Sequence, residues 1–192
     1  MEYWNRILFC TLFPACLAGA ASAAEAPEPG TYRGQGIVLH ASARTSEQMA
    51  AFYSARGFPA NAVSALAQTC FVTVGMRHER RETVWLELAN WRFVDAAGNE
   101  VRRLKRSDWD APWDQIKLPP ASRATFGWTQ MPESRDLQPG EPVGGNVALI
   151  PPAGVFTLEA KFRVGDAPNG PLLEARIPGI SCEGHGAPEV KP

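Results

Sequence analysis

The chain has 192 residues, 19 basic and 20 acidic side chains, four cysteines and a formal net charge of −1. A near-neutral balance gives no electrostatic case for nucleic acid, which selects a net excess of clustered cations. An apolar share of 45% fits one globular domain large enough to bury a real core.

Met1 to Arg6 forms a short head, and Ile7 to Ala18 is an apolar run interrupted by Pro14. Ala21-Ser22-Ala23 then supplies the small-x-small pattern that signal peptidase accepts. Residues 1–23 read as a signal peptide cut near Ala23, which places the protein in the periplasm or outside the cell. A bilayer span needs about 20 apolar residues, and the run is shorter. A lipoprotein would keep Cys16 at its start, but Phe13-Pro14-Ala15 is a poor lead-in. No later stretch is long and apolar enough, so no transmembrane segment is expected after cleavage. Residues 24–30, AEAPEPG, form a Pro-rich linker. Residues 31–182 read as one domain, and 183–192 as a Gly- and Pro-rich flexible tail.

Gly36 to Ala41 reads as a first strand. The period then changes. Thr45-Ser46-Glu47-Gln48 matches a capping box, and Met49, Phe52, Tyr53 and Arg56 follow at helical spacing. Gly57 sits where a helix end favours a left-handed residue, and Ala60 to Gln68 reads as a second helix. A short helical hairpin is therefore expected near the N-terminus.

From Thr69 the β signal dominates. Cys70 to Val74 is one strand. Thr83 to Val94 reads as a long strand whose phase slips near Ala89-Asn90, which predicts a bulge or a change of packing partner. Asp95 to Asn99 is a hairpin loop leading into Glu100 to Leu104. Val143 to Ile150 and Val155 to Val164 follow, the latter with Phe156, Leu158, Ala160, Phe162 and Val164 alternating against polar residues. Asn169-Gly170 turns the chain into Leu172 to Ile177. Many short strands and few helices predict a mainly β, antiparallel sandwich.

Loss of Cys10 and Cys16 with the signal leaves Cys70 and Cys182. Two cysteines in an oxidising compartment pair, and a loop of about 100 residues is worth about 4.7 kcal/mol in the chain-entropy model. The rival is a reactive Cys182 thiolate three residues before His185.

The segments Leu88 to Asn99 and Leu137 to Leu149 resemble secreted bacterial immunoglobulin-like (telokin-like) domains. In such domains a strand ends in an Asp-x-x-Gly turn, as at Asp95 to Gly98. A Pro-Gly-Glu loop, here Pro139-Gly140-Glu141, later feeds a strand. The resemblance covers roughly residues 70–165 and implies an immunoglobulin-like β-sandwich. It brings no catalytic residues, because this fold hosts unrelated functions.

Catalytic motifs are weak. Gly179-Ile180-Ser181-Cys182-Glu183 lacks the second glycine of a serine nucleophile elbow. Met76 and His78 are two apart on a strand and could offer copper a sulfur and an imidazole, yet the sequence has no second such pair. No cofactor is expected. Trp109 and Trp113 share a helical face, either stacking on sugar rings or plugging the core. Arg102, Arg103, Lys105 and Arg106 form a basic run, either a docking patch for an acidic partner or anionic lipid, or a solvated hairpin. The resulting expectation is a non-enzymatic binding or assembly domain with an envelope protein partner. A small-ligand module is the alternative.

Overall fold

The computed structural model describes residues 28–182. The signal peptide at 1–23, most of the linker and the 183–192 tail, with His185, lie outside the described residues.

The chain opens with strands β1 (Thr31–Gly34) and β2 (Ile37–Arg44). Gln35 and Gly36, with φ of 53° and 73°, supply the two left-handed positions of a tight hairpin turn between them. Helix α1 (Ser46–Ser54) starts at the expected cap: Thr45 Oγ1 accepts from the Gln48 N–H, and Gln48 Oε1 accepts from the Thr45 N–H. Gly57, at φ 74°, turns the chain toward α2 (Ala60–Ala67).

Strand β3 (Cys70–His78) is followed by β4 (Val84–Glu87) and β5 (Arg92–Asp95). The single strand expected over 83–94 is thus two strands split by a 3₁₀ turn at Leu88–Asn90. Both pair with one long neighbour, β9 (Val155–Val164). Six steps from Leu86 to Arg92 face three from Phe162 to Glu159. That odd excess inverts the side-chain parity, so Val84 and Leu86 share the inward face with Phe93. The phase slip is real, and its cause is an inserted turn rather than a bulge or a new partner.

The short strand β6 (Arg103–Leu104) precedes a 3₁₀ turn at Arg106–Trp109 and helices α3 (Asp110–Gln115) and α4 (Pro120–Thr129). Strands β7 (Ser134–Leu137), β8 (Val143–Leu149), β9 and β10 (Leu172–Ser181) complete the chain.

The strands form two sheets, with every strand pairing antiparallel. The first has the order β1-β2-β3-β8-β6, and the second β10-β9-β4-β7 with β5 also on β9. Ile37, Leu39, Val72 and Val74 of the first sheet share one apolar cluster with Leu86, Leu158, Phe162 and Ile177 of the second. Strand β3 is buried on both faces at its start, over Cys70 to Val72. Phe71, of opposite parity to Val72, joins Ala148 in a second cluster with Tyr53, Leu66, Trp109, Trp113 and Phe126. The helices thus pack their apolar residues on the outer face of the first sheet.

Cys70 and Cys182 are disulfide-bonded, with Cα atoms 5.7 Å apart. The bond ties β3, central in the first sheet, to the end of β10, an edge of the second. A one-residue register shift between Ile177 and Ile180, at Pro178-Gly179, carries β10 past the expected end at Ile177. Gly179 takes φ 74° there, and Ile180 stays inward.

Candidate functional site

Strand β6 borders a surface groove. It pairs with β8 through Arg103 and Leu149, and through Leu104 and Ala148. This pairing fixes the basic run along one edge of the first sheet. The groove, of about 530 Å³, is lined by Arg102, Arg103, Lys105, Glu100 and Asp108, with Leu88, Ala89 and Trp91 supplying its apolar part.

The four cations of the run differ in what they can do. Arg103 is only 12% exposed, and both its terminal nitrogens donate to Glu133 at 2.8 and 2.9 Å. Burial would raise the Glu133 carboxyl, but the Arg103 hydrogen bond and charge, backed by Arg106, hold it below the ordinary carboxylate range. The Arg106 guanidinium donates to the Gly127 carbonyl at 3.0 Å, clamping the run to α4. Arg103 and Arg106 therefore build the scaffold. Arg102 is 67% exposed and sits 3.6 Å from Asp108. Asp108 also accepts from the Lys105 backbone N–H at 2.9 Å. Arg102 and the exposed Lys105 are the cations that face solvent at the groove.

Trp128, the residue after Gly127 on α4, is 84% exposed. This exposed indole has no counterpart in the sequence reading. A signal existed: Trp128 follows the buried Phe126 by two residues, and two helical steps turn a side chain to the opposite face.

The other sequence candidates have different fates. Trp109 and Trp113 stack at 4.8 Å and are 6% and 3% exposed. Both pack edge-on or tilted against Phe126, and Trp109 stacks on Phe71. They are core, which corrects their candidacy as a binding surface. The reason is the apolar outer face of β3, which gives two indoles on one helical face something to cover. Met76 lies in the inter-sheet cluster, and His78 is buried with Nε2 bonded to the Gln138 carbonyl at 2.9 Å. Among the described residues no group of three or more His, Cys, Asp or Glu is placed to hold a metal ion. The Cys182 sulfur is spent in the disulfide, so it is not the thiolate that the Cys182–His185 spacing allowed. A bonded cysteine pair is compatible with an extracytoplasmic protein. No helix among the described residues is long and apolar enough to cross a membrane.

No family model matches the chain, and no curated protein matches it. Among solved structures it is similar to the yjhA protein from Bacillus subtilis, at 13% identity and a TM-score of 0.33. That match covers 48% of this chain and 55% of the other, so the chain spans about half the length of the protein it matches.

Proposed function

We propose that this is a non-enzymatic binding or assembly domain of the cell envelope, exported by the signal at 1–23, that docks a partner protein through the groove beside the basic run. We further read its two sheets as an immunoglobulin-like, telokin-like sandwich carrying α1 and α2 as a helical hairpin. The shared inter-sheet core and the disulfide across it support that reading.

The observation that carries the docking role is a groove that joins cations to apolar side chains, with an exposed indole next in sequence to the residue that Arg106 holds. The cations are solvent-facing Arg102 and Lys105, the apolar lining comes from Leu88, Ala89 and Trp91, and the indole is Trp128. Aromatic residues and arginine are enriched in protein interfaces, and long-range charge steers the encounter. The partner segment that fits is acidic with an apolar side chain.

The test is a pull-down from an envelope extract with the purified protein as bait, repeated with Arg102→Glu/Lys105→Glu and with Trp128→Ser. Retention of one partner at low salt, lost on charge reversal and weakened by Trp128→Ser, is the expected result. Retention that ignores both variants, or no retained protein at low salt, refutes the proposal.

A further inference from the structure

A second concavity lies on the outer face of the second sheet and shares no lining residue with the basic groove. It encloses about 300 Å³ between Trp85, Glu87, Asn90, Arg163, Pro168 and Asn169. Strand alternation builds it. Val84 and Leu86 point into the core, so Trp85 and Glu87 point out. Arg163 is the direct cross-strand partner of Trp85 and shares its face.

The site is held in shape from several sides. The Trp85 indole N–H donates to the Gly165 carbonyl at 2.9 Å, and the Gly165 N–H donates back to the Thr83 carbonyl at 3.0 Å. These bonds fix both the ring and the start of the loop that carries Pro168 and Asn169. Gly170 closes that loop so tightly that a Cβ there would overlap the Val164 carbonyl oxygen. Arg163 donates to the Gly170 carbonyl at 3.2 Å, and the Asn90 amide donates to Glu87 at 3.3 Å.

The chemistry is that of a flat apolar ring with its own polar atom already satisfied. Around it stand a carboxylate, two carboxamides and a guanidinium. Each of those groups is planar and can engage two adjacent hydroxyls at once. A purely apolar ligand would leave the remaining donors and acceptors of these groups unmet, at a cost. One acid and one base line the site, so it has no bias toward an anion or a cation. Its volume is at the small end of ligand pockets. We propose that this site binds a neutral pyranose unit of a glycan, the C–H face of the sugar on Trp85 and its vicinal hydroxyls on Glu87, Asn90, Arg163 and Asn169. The sugar-stacking role that the sequence offered to Trp109 and Trp113 thereby passes to a tryptophan whose ring reaches solvent. The site stands whether or not the basic groove docks a protein.

The test titrates the purified protein with chitotriose, maltotriose and cellotriose, read by tryptophan fluorescence and by saturation-transfer NMR on the sugar. Saturable binding of at least one trisaccharide in the millimolar range is expected. Trp85→Ala should weaken it about tenfold, the worth of an aromatic contact, while Trp85→Phe keeps most of it. Asn169→Ala lies on an exposed loop, so it should keep the thermal midpoint and still weaken binding. No saturation by any of the three, binding that both alanine variants leave unchanged, or preference for anionic trigalacturonate over all three would each overturn the assignment.

Discussion

Replacing both Cys70 and Cys182 with alanine tests the tie between the sheets. The two residues are separated by 112 positions, and the chain-entropy relation for a loop of that length gives about 5 kcal/mol at 25 °C. Both cysteines are buried, so alanine avoids the unpaired hydroxyl that serine would introduce. A domain of this size loses about 2–4 °C of Tm per kcal/mol, so the midpoint should fall by about 10–20 °C. Calorimetry and urea titration followed by circular dichroism measure the loss directly. The denatured chain gains freedom, so the urea slope should hold or rise slightly. Location adds a second readout. The bond anchors the end of an edge strand to the middle of the opposite sheet, so amide exchange in β10 should accelerate ahead of exchange in β3. A loss below about 1 kcal/mol, or two titratable thiols in the native protein, would refute the reasoning.

Trp113→Ala removes an indole that stacks on Trp109 and meets Phe126 edge-on, so it should cost about 3–5 kcal/mol by urea titration and erase much of the near-ultraviolet dichroism. A cost under about 1 kcal/mol would mean that the ring is not core. The Arg103–Glu133 pair should confer acid-sensitive stability. The Glu133 carboxyl is lowered in the folded protein, so its contribution is full above the unfolded carboxylate value and fades as pH falls through the folded one. The urea midpoint of Glu133→Gln should therefore lie below that of the wild type by a constant amount near neutrality, the gap closing below about pH 4. A gap independent of pH would refute it.

Local sequence carried much of the secondary structure. Thr45 and Gln48 bond to each other's backbone wherever the helix sits, so α1 is written in four residues. Strand β9 matches its sequence boundaries because strict alternation needs no knowledge of its partners. Helix α4 is the counter-example. Gly127, Thr125 and Thr129 are weak helix formers, and Pro120 in its first turn is the main local signal. It is helical because Phe126 has a pocket of aromatic rings to fill. Strand β1 likewise depends on pairing with β2, and the turn at Gln35 needs a left-handed non-glycine residue that composition does not announce.

The tryptophans mark where sequence stops being sufficient. Sequence spacing put Trp109 and Trp113 on one helical face, and elimination left Cys70 with Cys182. The first statement concerns direction, which backbone periodicity sets. Whether a face meets protein or water depends on what the rest of the chain lays against it. The outer face of β3 received the helices and buried Trp109 and Trp113. The outer face of β4 kept Trp85 at a concave surface, and the far side of α4 left Trp128 in solvent.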